Sequence, residues 1–195
     1  MNSQKPFVFL LLLFMSFSAG AQEEDGFFLP IRYSVEYANS QEFKVVSIGL
    51  HPEIFLGDEI SIGYSLRLGA TAGLDSQFYI NYPLGVLWSA ALFRNANEDN
   101  YYYNIPLGLL AVLIPQRISY HLEHTNAFRS EIYLEPFGVD YIVNRLNPQP
   151  VLSIGVRLNL MVGPLAISPY GGIRTAYDGS VYFATFGLMM SGSFN

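Results

Sequence analysis

The segment from His121 to Ala127 holds the only close grouping of side chains that could do chemistry. Its order is His-Leu-Glu-His-Thr-Asn-Ala. A histidine can act as a general base, but acyl transfer also needs a hydroxyl nucleophile within its reach. Metal binding through His121, Glu123 and His124 fails in a strand, because positions three apart lie on opposite faces. We therefore expect neither a catalytic residue nor a metal ligand here.

Charged residues elsewhere recur on the polar side of what the sequence indicates are strands. No nucleophile-elbow, metalloprotease or phosphate-loop motif occurs, and nothing implies a cofactor. Charges enclosed together must pair, because an unpaired buried charge is expensive. We expect a structural charge network in the interior, with a selective small pore or a ligand cleft as alternatives. Its predicted members are Arg32, Glu36, His51, Glu53, Arg67, Arg117, His121, Glu123, Arg157 and Arg174.

The elements that must position these side chains are strands, because apolar and polar residues alternate. From Glu59 to Ala72, the even positions hold Ile, Ile, Tyr, Leu, Leu, Ala and Ala, whereas the odd positions hold Glu, Ser, Gly, Ser, Arg, Gly and Thr. A period of two is typical of a strand with two different faces. The pattern recurs from Val151 to Val162, and residues 22–195 show no sustained helical period.

Ten such runs can be marked, and each is near or above the ~9 to 11 residues that a tilted membrane-spanning strand requires. Gly57-Asp58 and Asp178-Gly179 lie between runs at hairpin spacing, which predicts an antiparallel meander. The count falls to eight if the first run is a docked arm and if 101–125 holds one strand. The runs are 27–37, 43–56, 59–72, 77–92, 101–113, 117–125, 131–143, 150–162, 165–176 and 180–194.

Two local features accompany these runs. Pro83, Pro106, Pro136 and Pro169 are each followed two residues later by glycine, and we interpret these sites as corners where strands bend. The polar segment Arg94–Asn100 is predicted to be a loop at a rim. The eight-strand version places this loop outside the cell, and the ten-strand version places it in the periplasm.

The composition of the polar face indicates which side of the sheet meets solvent. That face holds Ser, Gly, Asn, Thr and isolated charges, and Lys44 is the only lysine after residue 21. A soluble sandwich would instead present many Lys and Glu. We therefore expect the polar face to line an interior and the apolar face to meet lipid. The predicted fold class is all-β: a closed antiparallel meander transmembrane β-barrel of eight to ten strands.

The N-terminus predicts export. Residues 1–21 hold Lys5, an apolar run from Phe7 to Met15 and small residues at Ala19 and Ala21, which is the layout of a signal peptide. Residues 22–195 would then be the outer-membrane β-barrel domain. The whole chain has 10 basic and 16 acidic residues and no cysteine, so removal of Lys5 leaves a net charge of −7. The acidic balance argues against nucleic acid as a partner, and the lack of cysteine excludes a lipid anchor and disulfides.

These features resemble the small outer-membrane β-barrel proteins of Gram-negative bacteria. The resemblance rests on the signal segment, the alternation, the strand start at Ser168–Gly171 and the final run ending Ser191–Phe194. It implies outer-membrane lipid as the surroundings and the barrel-insertion machinery as a partner during biogenesis. In that class the last strand usually ends on an aromatic residue, whereas here Asn195 follows Phe194.

The predicted function is a non-catalytic barrel in the outer membrane with a structural, surface-interaction or narrow transport role. An interior of eight to ten strands is too small for a general porin. One alternative is a periplasmic β-barrel that binds an apolar ligand. A second is a lipid-modifying enzyme, because His121–Ala127 is faintly similar to the His-x-Ser-Asn-Ala stretch of lipid A deacylases, although Asn126 stands at the serine position. Ligand, oligomeric state and loop sidedness stay open.

Overall fold

The computed structural model describes residues 31–73, 75–96, 100–125, 128–162 and 165–192. The predicted signal peptide, 1–21, and Phe194 lie outside the described residues. The described part contains two helices and ten strands. The strands are β1 (Ile31–Asn39), β2 (Lys44–Phe55), β3 (Ile60–Gly63), β4 (Leu66–Thr71), β5 (Phe78–Pro83), β6 (Arg117–Thr125), β7 (Phe128–Ile142), β8 (Leu146–Val162), β9 (Leu165–Ala176) and β10 (Tyr182–Gly192).

The strands form one closed antiparallel ring with eight positions. β1 pairs with β2 on one side and with β10 on the other, which closes the ring. β3 and β4 share one position, and both pair with β2. β5 and β6 share the next position, and both pair with β7. The predicted closed antiparallel meander is therefore confirmed, with ten segments in eight positions, and β1 is a ring strand rather than a docked arm.

Both rims of the ring carry short connections. At the terminal rim β1 begins and β10 ends; the connection 56–59, the end of β6 with the start of β7, and the end of β8 with the start of β9 also lie there. The opposite rim holds 40–43, 72–77, 143–145 and 177–181, of which the longest has six residues. The long connection between β5 and β6 leaves from the wall of the ring instead.

Two helices form this long connection: α1 (Leu84–Arg94) and α2 (Tyr101–Val112). We call them, with the turn that joins them, the helical hairpin. The predicted strands over 84–92 and 101–113 are wrong, as is the strand corner at Pro106, which lies inside α2. Both helices are apolar on nearly all sides, so their sequences lack the amphipathic period that indicates a helix. In the described ranges, no helix is long and apolar enough to cross a membrane by itself.

The helical hairpin is an insertion into one strand position. From Pro83 to Ile118 the chain advances 35 residues, whereas their partners on β7, Gly138 and Leu134, are 4 residues apart. The difference of 31 residues is therefore not needed to fill this strand position of the ring. The described ends of the predicted loop Arg94–Asn100, residues 94–96 and Asn100, therefore lie at the tip of this insertion and not at a rim, which corrects that prediction.

The strand position shared by β5 and β6 is interrupted where the insertion leaves the ring, and we call this point the break in the wall. There, a side chain replaces a hydrogen bond of the strand ladder. Gln116 is fully buried, and its Oε1 accepts a hydrogen bond from the backbone N–H of Ser65 at 2.9 Å. The same amide donates from Nε2 to Asn81 Oδ1 at 3.4 Å. Buried backbone donors need partners, and this glutamine supplies one where the strand leaves the sheet.

Side chains alternate between the two faces of the ring. Along β1, Arg32, Ser34 and Glu36 are buried, whereas Tyr33 and Val35 are exposed. Next to the opposite rim, the interior is filled by an apolar cluster, which we call the apolar plug. Its buried members are Ala38, Val45, Tyr79, Ile142, Leu146 and Phe183.

Candidate functional site

Beyond the apolar plug, the interior is filled by charged side chains. Five arginines and five carboxylates lie there, each at most 7% exposed. Equal numbers let every buried charge have a counter-charge, which burial requires. We call this set the charged interior. Its members are Arg32, Arg67, Arg117, Arg157, Arg174, Glu36, Glu53, Glu131, Glu135 and Asp140.

Glu131 is the centre of the half nearer the terminal rim. Its Oε2 lies 2.8 Å from Arg157 Nη1 and 3.1 Å from Arg32 Nη1. Strand register places these groups together, because Glu131 stands opposite Arg157 on β8 and opposite His121 on β6. Residues directly opposite each other present side chains on the same face of a sheet. The pairing is thus built into the register.

Arg67 is the centre of the other half. Its guanidinium binds Glu135 at 3.1 Å and Asn81 Oδ1 at 2.7 Å, and its Nε lies 3.2 Å from Glu36. Arg174 reaches the second oxygen of Glu36 at 2.9 Å. These residues come from β1, β4, β5, β7 and β9, so the contacts tie together distant parts of the ring.

Two residues lie between these halves. His51 Nε2 is 2.7 Å from Ser34 Oγ and its Nδ1 is 2.5 Å from Ser65 Oγ, so both ring nitrogens have hydroxyl partners. Arg117 lies 3.5 Å from a Glu53 oxygen and 3.9 Å from a Glu135 oxygen. Among the described residues, its guanidinium nitrogens have no hydrogen-bond partner. Arg117 is therefore held by charge more than by directed hydrogen bonds.

The structure places nine of the ten predicted network residues in the interior. The tenth, Glu123, lies in β6, and its side chain is outside the described residues. The prediction missed the carboxylates Glu131, Glu135 and Asp140. The first two lie at odd positions of β7 that alternate with exposed Ile132 and Leu134, so the pattern could have indicated them.

Asp140 could not be found by alternation. The register between β7 and β8 shifts between Glu135 and Gly138. Such a bulge moves the inward positions from odd to even numbers. A corner at Pro136 was predicted, but its effect on which side chains point inward was not.

Ser61, His121 and Glu131 contain the groups of an acyl-transfer site. Ser61 Oγ lies 2.8 Å from His121 Nε2, and His121 Nδ1 lies 3.8 Å from Glu131 Oε2. Hydroxyl, imidazole and carboxylate in this order can activate a nucleophile. However, Ser61 donates its hydroxyl to Glu53 at 2.7 Å, is fully buried, and the 3.8 Å separation is too long for a hydrogen bond. The Ser61 hydroxyl is therefore buried and already bound, and the side chains of His124 and Asn126 lie outside the described residues.

The same region also brings together possible metal ligands. Donor atoms of Glu53, His121 and Glu131 lie within 4.8 Å of one another. The members of this set come from β2, β6 and β7, so the sequence of a single strand does not predict it. Arg32 already binds both carboxylates at 2.9 and 3.1 Å. A divalent cation would be repelled by this guanidinium and would compete with it, so the donor set does not favour a metal.

Comparisons with known proteins find a likeness of fold. No family model and no curated protein matches the sequence. Among solved structures, the chain is similar to the N-terminal β-barrel domain of Pseudomonas aeruginosa OprF, with 9% identity, a TM-score of 0.48, and coverage of 83% of this chain and 96% of that one. It is also similar to Neisserial surface protein A, with 7% identity, a TM-score of 0.48, and coverage of 85% of this chain and 96% of that one. The outer membrane enzyme PagL is similar with 9% identity, a TM-score of 0.47, and coverage of 84% of this chain and 99% of that one. At these identities no activity follows from the likeness.

The outer surface of the ring is the counterpart of the charged interior. Every strand exposes at least one large apolar side chain; Ile48 on β2 is 65% exposed, Val156 on β8 is 55% exposed and Phe186 on β10 is 60% exposed. Soluble monomers rarely expose contiguous apolar patches above a few hundred Å². The ring is thus polar inside and apolar outside.

Proposed function

We propose that this protein is an integral outer-membrane β-barrel with a sealed interior and a structural role in the membrane. The observation that carries the proposal is the inversion of the ring: ionised side chains are buried and large apolar side chains are exposed. In water, charged side chains favour the solvent-exposed face and large apolar side chains favour the interior, which is the opposite of what this ring shows. Lipid favours an apolar outer band. The predicted signal peptide and insertion by the barrel-insertion machinery are part of the proposal.

The geometry of the interior supports a sealed barrel over a pore. The apolar plug fills the lumen at the opposite rim, and paired charges fill the remainder. An ion would have to displace buried salt bridges along its path, and breaking such a pair costs several kcal/mol. The part of the interior that the apolar plug does not fill is charged, which also argues against a cavity for an apolar ligand.

The rims and the buried serine argue against the other roles. Outer-membrane barrels generally carry longer loops on the extracellular side, whereas here no connection between described strands at either rim exceeds six residues. A surface-interaction role would therefore have little loop area to use. Ser61 is inaccessible and already bound to Glu53, so hydrolysis of a lipid acyl chain has no accessible nucleophile at this site.

Gel mobility tests whether the barrel is closed and membrane-embedded. The protein from the membrane fraction would be run with and without boiling. We expect faster migration of the unboiled sample, because a ring without free edges resists detergent until heated. Recovery in the soluble periplasmic fraction, with no shift on boiling, would refute the membrane assignment.

Conductance measurements test whether the interior is sealed. Purified protein would be reconstituted in planar lipid bilayers, with a known small porin as the positive control. We expect no single-channel steps from this protein, because both halves of the lumen are filled. Reproducible steps that scale with the amount of folded protein would favour narrow transport instead.

A further inference from the structure

The helical hairpin has an apolar surface that the barrel leaves uncovered. Its helices pack on each other through small residues: a Cβ on Gly85 would meet the Ala111 carbonyl oxygen at 1.9 Å, and one on Gly108 would meet the Phe93 ring at 2.5 Å. Phe93 packs between the helices, whereas most of the other large side chains are exposed. Exposed ones are Trp88, Tyr101, Tyr102, Tyr103, Leu107, Leu109, Leu110 and Leu113.

Charge is confined to one end of the helical hairpin. From Leu84 to Phe93 and from Tyr101 to Val112 the sequence has no ionisable acid or base other than tyrosine. The connecting segment 94–100 holds Arg94, Glu98, Asp99 and three asparagines. A helix that is apolar on all sides is found in a protein core or in a membrane. A polar tip next to three tyrosines is typical of a membrane interface.

The dimensions fit one leaflet. The break follows the six residues of β5, which at ~3.3 Å per residue and ~40° tilt lie about 15 Å along the barrel axis. That is half of the ~30 Å hydrocarbon core. The helices have 11 and 12 residues, or about 17 Å at 1.5 Å per residue. A hairpin leaving the wall near the bilayer centre therefore reaches the interface when it runs along the wall.

Three backbone groups at or beside the break are bonded by side chains. Tyr64 donates its hydroxyl to the Leu113 carbonyl at 2.7 Å, and Tyr177 donates to the Pro136 carbonyl. Gln116 accepts from the Ser65 N–H. Unpaired backbone groups are not tolerated in hydrocarbon, so bonds of this kind are what a break in the wall at membrane depth requires.

We infer that the helical hairpin lies within one leaflet, with the acyl chains of lipid as the partner of its apolar side chains and the polar tip among the headgroups. It is a helical anchor that enters half of the membrane beside the barrel wall. This inference rests on the proposed membrane location of the barrel. It adds a second kind of lipid contact that the ring does not supply.

The chain carries its own reporter for a test. Trp88 on α1 is the single tryptophan, and its side chain is 52% exposed. Full-length protein would be reconstituted in phosphatidylcholine vesicles with bromine near the methyl ends of the acyl chains, or near the glycerol. Bromine quenches tryptophan only at short range, so the two lipids report depth. Acrylamide in the aqueous phase reports exposure to water.

Two variants provide matched positions. Trp88→Phe with Leu158→Trp places the only tryptophan on the exposed face of β8, and Trp88→Phe with Asn95→Trp places it at the tip. We expect strong loss of Trp88 emission with the deep bromines and little with acrylamide. The tryptophan at 95 should be quenched best by the shallow bromines.

The outcomes separate this inference from the proposed function. If the tryptophan at 158 is quenched by lipid but Trp88 is quenched by acrylamide, the barrel is embedded and the leaflet anchor is wrong. If neither reagent reaches Trp88 while lipid quenches the tryptophan at 158, protein covers the hairpin, for example a second copy, and the inference is also overturned. Absence of lipid quenching at 158 would refute the proposed membrane location itself.

Discussion

Single residues in the charged interior depend on one another, and Glu131 is the centre of the half nearer the terminal rim. It binds Arg157 and Arg32, and its own side chain is fully buried. Glu131→Gln should destabilise the barrel by about 3 to 5 kcal/mol, because removing this charge leaves the buried Arg157 without the carboxylate that it binds. The temperature at which the unboiled band is lost on gels would measure this.

Glu42→Gln is the matched control for that substitution. Glu42 is exposed in the connection 40–43, and exposed charges contribute roughly 0 to 1 kcal/mol. Its transition temperature should stay near that of the unchanged protein. Equal losses for Glu42→Gln and Glu131→Gln would contradict the importance of the buried pairs.

Two arginines with equal burial should differ in their contributions. Arg157 makes bonds of 2.8 and 2.9 Å to Glu131 and lies 5.5 Å from the centre of the Tyr133 ring. Within the described part of the chain, Arg117 has only the longer ion pairs at 3.5 and 3.9 Å. Arg157→Met should therefore lower stability more than Arg117→Met. Charge-assisted hydrogen bonds are the stronger contacts. Thermal unfolding in detergent, followed by circular dichroism, would rank them, and the reverse order would overturn this account.

Much of this residue-scale picture could be predicted from the sequence. Alternation alone identified nine interior residues, because inward and outward positions differ so sharply in polarity. Asp140 escaped because the bulge at Pro136 shifts the alternation. The grouping of Ser61 with His121 escaped for another reason: it depends on which strands are neighbours in the ring, and β3 pairs with β6 rather than with β5.

At the scale of elements, one local sequence pattern adopts two structures. Tyr79–Gly85 and Tyr102–Gly108 share a Tyr-x-Asn-x-Pro-Leu-Gly order with conservative differences. The first forms most of β5 and the start of α1, whereas the second lies wholly inside α2. β4 and β7 supply ladder partners for the first pattern, and no strand flanks the second. Tertiary pairing, which the sequence pattern does not contain, decides between them.

The helix pair should be sensitive at its closest contact. Gly85→Ala places a Cβ about where the Ala111 carbonyl oxygen lies, 1.9 Å away, so the helices must separate. We expect a loss of roughly 1 to 3 kcal/mol, as for overpacked contacts. It should appear as earlier thermal unfolding of the helical hairpin, followed by Trp88 fluorescence. The heat-dependent gel shift of the ring should change less.

Ala90→Val controls for added volume on the same helix. Ala90 is exposed on α1, so its larger side chain meets no neighbour there. Its unfolding profile should match that of the unchanged protein. An equal effect of both substitutions would mean that the contact at Gly85 does not hold the two helices together.

At the scale of the whole molecule, closure is independent of the helical hairpin. β5 pairs with β4 and β7, and β6 pairs with β3 and β7, so the strand position is filled by ring residues alone. The sequence predicted closure but did not decide between eight and ten strands, because one strand position that is split into two segments gives the same sequence pattern as two strands. An insertion in the wall, rather than at a rim, has no signature in alternation.

Deletion of residues 84–114 should leave a folded barrel. The register allows it. Pro83 and Ile118 are 35 residues apart, whereas their partners on β7 are 4 apart, so removal of 31 residues makes the two spacings equal. Pro115 and Gln116 would then continue the strand from Pro83. The deletion variant should still migrate faster when unboiled, since every strand keeps both neighbours. Loss of that shift would mean that closure needs the helices. A retained shift with weaker retention in the membrane fraction after alkaline washing would indicate that they act as an anchor on an already complete barrel.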